Sequence, residues 1–192
     1  MSWEAERLSD RESPPRSVCI WVREGTWRAA VDAALRLAPP DSRFTLLHVT
    51  SEEVPDAARG AYAGLFGRGG RDPAARLAEE AAASAARLLE AAAARLRQGT
   101  ERACERVTLQ GRTERVVVAA SAQADLLIVA RDGDQARLGP RSLGRATRFV
   151  VDHAACPVLL VWPGSAPGVA SMPPPPPPHR PSPPHHPSPP DR

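Results

Sequence analysis

The sequence predicts a doubly wound α/β domain with a five-stranded parallel sheet and helices on both faces of the sheet. Five short apolar runs alternate along the chain with four stretches of helical periodicity. This alternation is typical of parallel strands joined by right-handed crossovers. The last run, Val158–Val161, is apolar throughout, as expected for a strand that is covered on both faces.

The first three elements are bounded by proline and polar residues. A strand is predicted at about Val18–Val22, where the chain turns apolar after a proline pair. A helix is expected over Thr26–Leu37, with Thr26 as a candidate N-cap, because Pro39 and the proline after it cannot continue a helix. A second strand is predicted at Phe44–Val49.

The second helix has the clearest local signals. Residues 54–71 form a glycine-rich loop, after which Asp72 is a candidate cap and Pro73 suits the first helical position. Gly99 suits the position after the helix end. The helix between them carries one apolar stripe, which consists of Leu77, Ala81, Ala85, Leu88, Ala92 and Leu96.

The second half of the domain continues the alternation. A third strand is predicted at Arg106–Gln110, a third helix from Thr113, and a fourth strand at Leu126–Ala130. A polar loop, Arg131–Arg141, then leads to a final helix and strand within Leu143–Trp162. Ligands of such sheets bind beyond the carboxyl ends of the strands, so the candidate binding rim consists of Arg23–Thr26, Val49–Glu53 and Ala130–Arg145.

Both ends of the chain differ in composition from the domain at 17–162. Residues 1–16 are polar and are predicted to be a disordered N-terminal extension. Residues 163–192 are predicted to be a Pro-rich disordered tail, which contains six consecutive prolines at Pro173–Pro178. The tail contains PxxP-type spacing, which suits an SH3- or WW-like partner. A solvated low-complexity end is the favoured alternative.

The basic residues exclude several kinds of site. All 25 of them are Arg, and a chain without Lys can have neither a Walker-type phosphate loop nor a Schiff-base amine. The net charge is +3, and the positive residues are interleaved with Asp and Glu rather than grouped. The sequence therefore predicts no nucleic-acid partner.

The cysteines and the apolar runs indicate the compartment. Cys19, Cys104 and Cys156 are scattered and odd in number, so neither a disulfide framework nor a zinc site is predicted. The first sixteen residues contain no apolar signal region, and no apolar run is long enough to span a membrane. We expect a cytoplasmic protein without a membrane contact.

The segment Leu143–Trp162 resembles the C-terminal signature of the universal stress protein family. Its matching residues are Gly144, His153, Ala154, Cys156, Pro157, Val158 and Leu159. Three other places agree with the family in order and spacing: LLHV at Leu46–Val49, Gly111 after the third strand, and ADLLIVA at Ala124–Ala130. The resemblance covers about Val18–Trp162.

The resemblance implies a strand order and an assembly. The order is expected to resemble 3-2-1-4-5. Family members usually form homodimers through the last strand, and here this strand offers an apolar edge that pairing would cover. We therefore expect a homodimer through Val158, Leu159, Leu160, Val161 and Trp162.

Many members of this family bind ATP through a glycine pattern. The pattern is Gly, two residues, Gly, nine residues, Gly, then Ser or Thr. Glycine lets backbone N–H groups approach phosphate oxygens, and the start of a helix adds a favourable dipole. By the resemblance, the glycine positions are Ala130, Gly133 and Gly144, and Arg145 occupies the hydroxyl position. Ten residues, rather than nine, separate Gly133 from Gly144.

Further positions follow from the same resemblance. Val49 occupies the place where the backbone meets adenine. The Asp that the family carries after the first strand is missing from Val22–Gly25. Thr147 retains a hydroxyl near the start of the last helix, and the Arg145 guanidinium is itself a good phosphate partner. The candidate nucleotide-binding residues are Val49, Ala130, Gly133, Gly144, Arg145 and Thr147, in a site either remodelled for another anion or lost.

The sequence thus predicts a non-enzymatic stress-response or regulatory factor with a degenerate nucleotide site. The alternative is a stress sensor that binds ATP or another adenine nucleotide, and a weaker alternative is a slow ATP hydrolase. No catalytic residue, metal ligand or certain cofactor is assigned. His153 is expected at a helix C-terminus, where imidazole interacts favourably with the dipole. The glycine-rich run Gly64–Gly70 is interpreted as a linker.

Overall fold

The computed structural model describes residues 16–51 and 73–174. The described residues form five strands and four α-helices, with short 3-10 helices at Pro140–Ser142 and Val169–Ser171. The elements in chain order are β1 (Ser17–Trp21), α1 (Trp27–Leu37), β2 (Arg43–Thr50), α2 (Pro73–Gly99), β3 (Cys104–Gln110), α3 (Thr113–Ser121), β4 (Leu126–Ala130), α4 (Arg145–His153) and β5 (Val158–Val161).

All strand pairs of the sheet are parallel, and the strand order is β3-β2-β1-β4-β5. The predicted fold class and order are confirmed. The chain reverses its direction of winding at β1, which pairs with β2 on one side and with β4 on the other. The loops after β1 and β4 therefore emerge side by side at the carboxyl edge of the sheet, although they are far apart in sequence.

The sheet separates two apolar cores. On one face, Ile20, Phe44 and Ile128 pack with α1 and the C-terminal half of α2. On the other face, Leu47, Leu127, Val117 and Val150 join the strands to α3 and α4. Alternate residues of each strand enter opposite cores, which explains why the central strands are apolar along their whole length.

Only the C-terminal half of α2 packs on the sheet. Ala85, Ala92 and Leu96 of the predicted stripe are buried, whereas Leu77 and Ala81 are exposed. The predicted apolar stripe is therefore buried only in its C-terminal part. At its beginning, the exposed helix forms one wall of a cleft instead of covering the sheet.

The helices begin and end within one residue of the predicted positions, but a predicted capping contact is not formed. Thr26 is the N-cap residue of α1, but its side chain makes no capping hydrogen bond. Gly99 is the last residue of α2 rather than the residue after it. The predicted cap Asp72, the loop at 54–71, most of the N-terminal extension and residues 175–192 of the tail lie outside the described residues.

Cys19 belongs to the core beneath α3 and α4. Its burial, and to a lesser degree the nearby Cys156, raise the pKa of the Cys19 thiol to about 12. The thiol is therefore protonated at neutral pH and has the environment of an inert packing residue.

Within residues 16–51 and 73–174, no helix is both long and apolar enough to cross a membrane.

A matched pair of leucine substitutions tests this packing. We expect Leu96→Ala to lower the free energy of unfolding by about 2–5 kcal/mol, because Leu96 is 1% exposed in the core between α2 and the sheet. Leu37→Ala, at a helical position that is 60% exposed, should change it by no more than about 0.5 kcal/mol. Urea denaturation followed by circular dichroism measures both, and equal losses would contradict the described packing.

Candidate functional site

The candidate site lies at the carboxyl edge of the sheet, where the loop at 131–144 follows β4. This loop folds back on itself through two backbone hydrogen bonds. The Gly133 N–H donates to the Ser142 carbonyl at 3.0 Å, and the Asp134 N–H donates to the Arg141 carbonyl at 2.8 Å. The loop is thus a closed structure of its own rather than an open cradle.

Gly133 is required by the loop itself. A Cβ at this position would overlap the Arg141 carbonyl oxygen and would lie 2.8 Å from the Ser142 carbonyl carbon. The absence of a side chain therefore allows close approach of the loop's own backbone. The same property that admits phosphate in a glycine-rich cradle is used here for internal packing.

Gly144 precedes α4, and its N–H already has an anionic partner. It donates to the Asp132 carboxylate (Oδ1) at 2.8 Å. A Cβ at Gly144 would lie 2.6 Å from the other carboxylate oxygen, Oδ2. A carboxylate at the start of a helix is stabilised by the dipole in the way that a bound anion would be.

Arg23 completes this arrangement from the neighbouring strand. Its guanidinium forms an ion pair with Asp132 Oδ2 and donates to the Thr147 hydroxyl at 3.2 Å. The guanidinium carbon also lies 4.8 Å from the Trp21 ring centroid. The side chains of Arg23 and Asp132 are 34% and 11% exposed, so their charges are partly shielded from water. We call Arg23, Asp132, Gly144 and Thr147 the Asp132 network.

Two cavities lie near this edge of the sheet, beside the Asp132 network. One is a cleft of about 910 Å³ at the ends of β2 and β3, and Val49, Leu77 and Leu109 contribute apolar walls to it. The other is a groove of about 630 Å³ between the starts of α3 and α4, and Arg145 lines it.

The model of the universal stress protein family matches residues 24–161, which is most of the chain. The chain belongs to the universal stress protein family. No curated protein matches it.

Solved structures agree with the universal stress protein fold. The hypothetical protein MJ0577 has a TM-score of 0.61 at 16% identity, with 79% of this chain and 98% of that chain covered. UspA from Lactobacillus plantarum has a TM-score of 0.57 at 18% identity, with 78% and 99% covered. A universal stress protein in complex with cAMP has a TM-score of 0.53 at 17% identity, with 79% and 100% covered.

The residues matched to the family's nucleotide motif do not form one cluster. Gly144 and Thr147 meet in the Asp132 network, with Gly133 next to Asp132 in the chain. Val49 and Arg145 line different cavities. Ala130, which is 5% exposed, is the last residue of β4 and belongs to the core on the α1 side.

Sequence reasoning missed the two central residues of the network, Arg23 and Asp132. Both residues lie in segments that the sequence predicts at the binding rim, but neither was assigned a role there. The sequence signal that could have found them is a pair of opposite charges, with a cation after β1 and an anion after β4. The strand order brings those two ends together.

Both described histidines are held by backbone carbonyls. His48 Nδ1 lies 2.9 Å from the Val22 carbonyl, and His153 Nδ1 lies 2.9 Å from the Phe149 carbonyl. His153 is the last residue of α4, as expected, and it also stacks on the Phe149 ring. Within the described part of the chain, no three His, Cys, Asp or Glu residues are grouped in a way that could hold a metal ion.

After β5, the chain passes back beside the loop at 131–144. Arg131 donates to the Ser142 hydroxyl, and its guanidinium lies 4.6 Å from the Trp162 ring centroid. Farther on, the Leu138 N–H donates to the Ser171 hydroxyl at 3.1 Å. Residues 163–174, the first part of the predicted tail, therefore contact the loop that contains Gly133.

A pair of glycine substitutions tests whether the loop is closed on itself. We expect Gly133→Ala to lower the free energy of unfolding by about 1–3 kcal/mol, because the new Cβ must displace the Arg141–Ser142 backbone. Gly164→Ala meets no atom within 4 Å and should change stability by less than about 1 kcal/mol. Thermal unfolding compares the two variants, and a neutral Gly133→Ala would contradict the close packing.

Proposed function

We propose that this protein is a non-enzymatic stress-response or regulatory factor with a degenerate nucleotide site. The observation that carries the proposal is the hydrogen bond from the Gly144 N–H to the Asp132 carboxylate. At this place, where a phosphate would meet the helix start, the chain supplies its own anion. A phosphate group would have to displace a carboxylate that Arg23 also holds.

Other contacts support a role without catalysis. Arg23, the cation that reaches the helix start from the end of β1, is already paired with Asp132. The Nδ1 atoms of His48 and His153 are engaged with backbone carbonyls, so each ring is fixed in a structural contact. General acid–base chemistry needs such a group within reach of a substrate proton.

The second candidate function is an adenine-nucleotide sensor, and the cleft beside Val49 favours it. The cleft has apolar walls and is roomy enough for a small organic ligand. The structural neighbour in complex with cAMP has the same fold. In this alternative, the purine enters the cleft and the phosphates bind outside the Asp132 network. A slow ATP hydrolase is a weaker third candidate.

Removal of the internal carboxylate tests the proposal. We expect the unmodified protein to show no thermal shift with millimolar ATP, ADP, AMP or cAMP. Asp132→Ala should tighten ATP binding by about tenfold, because it frees both the Gly144 N–H and the Arg23 guanidinium. Thermal-shift titration followed by calorimetry measures this change.

Asp134→Ala is the matched control. It removes the same charge from the same loop, but Asp134 is exposed, and among the described residues it accepts only from the Ala136 N–H. Its ATP affinity should match that of the unmodified protein. Saturable binding of a nucleotide by the unmodified protein would favour the sensor. Phosphate release that Gly144→Val abolishes would favour the hydrolase.

We also propose that the protein forms a homodimer through Val158–Trp162. The four residues of β5 are all half-buried in the single chain, and the strand is an edge of the sheet. Pairing of this apolar edge with a second copy would cover it. Analytical ultracentrifugation should show a dimer at micromolar concentration that Leu160→Asp weakens. A monomer at every concentration would refute the proposal.

A further inference from the structure

Residues 163–174, which follow β5, are attached to the loop at 131–144, and we call them the strap. The Leu138 N–H in the middle of the loop donates to the Ser171 hydroxyl of the strap at 3.1 Å. Among the described residues, this hydroxyl is the only acceptor of that N–H. The loop therefore obtains one of its backbone hydrogen bonds from a segment outside itself.

The loop and the strap meet through two short helices of the same construction. The loop contains the 3-10 helix Pro140–Ser142, and the strap contains the 3-10 helix Val169–Ser171. In each, the last serine hydroxyl donates to the carbonyl of the glycine before the helix, at 2.7 Å to Gly139 and at 2.6 Å to Gly168. The hydroxyl of the strap is thus held in place by its own helix while it accepts the bond from the loop.

The proline run begins at the same contact. Gly139 has a φ of +119°, a backbone conformation that glycine adopts far more readily than other residues. A Cβ at Gly139 would lie 3.6 Å from Cδ of Pro173, so these two residues are immediate neighbours. Pro173 is the first of six consecutive prolines. The first residue of the run therefore lies against the loop.

Few contacts hold the strap, and it buries little apolar surface. Val169 is 76% exposed and Met172 is 58% exposed, so neither of these large apolar side chains anchors it. Arg131 lies over the Trp162 ring where the strap begins, but its Nε is buried without a hydrogen-bond partner in the described part of the chain. Segments with few buried apolar contacts open at a low cost in free energy. The strap is thus suited to detach while the sheet remains folded.

The proline run suits a partner that would compete with the loop. Runs of proline bind to aromatic-lined grooves such as those of SH3 domains, because the extended polyproline helix is formed before binding. A groove that takes the run from Pro173 onward competes with Gly139 for the first proline. Val169 and Met172 are three residues apart at a 3-10 turn and therefore share one face, which offers exposed apolar surface next to the run.

We propose that the strap is a releasable coupling between the proline run and the loop at 131–144. A partner with an SH3-type groove takes the run from Pro173, separates Ser171 from Leu138 and opens the loop. Because both events belong to one equilibrium, the coupling is reciprocal, and a weakened strap binds the partner more tightly. The inference goes beyond the proposed function and depends on neither a nucleotide nor a second copy of the chain.

Hydrogen exchange measured by NMR on the full chain tests the strap. Ser171→Ala removes the acceptor of the Leu138 N–H, and we expect this amide to exchange about tenfold faster. Ser165→Ala is the matched control, because Ser165 is an exposed residue of the strap that forms no hydrogen bond among the described residues. The Leu138 rate should not change in this control. The Ala154 N–H, which donates to the Val150 carbonyl at 2.8 Å, is the internal reference and should keep its rate in both variants.

Titration with a purified SH3 domain that binds PxxP peptides tests the coupling. We expect the domain to bind the unmodified chain and to raise the Leu138 exchange rate at saturation. Ser171→Ala should tighten this binding by the same factor by which it speeds exchange, since the binding-competent open state becomes more populated. Ser165→Ala should leave the affinity unchanged, and thermal unfolding verifies that both variants are folded. Absence of SH3 binding, binding that leaves the Leu138 rate unchanged, or equal effects of the two serine variants would overturn the inference.

Discussion

The carboxylate of Asp132 is the contact on which the candidate site depends. It accepts the N–H of Gly144, the N-cap residue of the last helix, and pairs with Arg23, which in turn reaches Thr147 on that helix. Three elements distant in sequence are thereby fixed to each other at the carboxyl edge of the sheet. Without this anion, an N–H group at a helix start and a partly shielded cation would both lack a partner, so the loop geometry and its electrostatics have one cause.

The parallel sheet is what makes this contact possible. β1 pairs with β4, and the residues that follow the two strands emerge at the same edge. At this edge of the universal stress protein fold, two of the chain's own side chains, Arg23 and Asp132, pair with each other.

Local patterns in the sequence were sufficient to predict the helices and strands, and the family resemblance supplied the strand order. The continuous apolar runs at Val18–Val22 and Leu126–Ala130 could only be buried strands, and Pro73 marked the start of the long helix. The Asp132 network could not be predicted in this way. Arg23 and Asp132 are 109 residues apart, and each alone resembles an ordinary surface charge. Gly133 was predicted to contact a nucleotide, whereas its close contact with the backbone at Arg141 could not be predicted from the sequence.

The contact between Leu138 and Ser171 fixes the last described residues of the chain against the loop at 131–144. Pro173, at which the run of prolines begins, stands beside Gly139 of the same loop. A protein that grips the chain soon after this point would be tethered to the loop, and its effective concentration there would be set by the length of the tether.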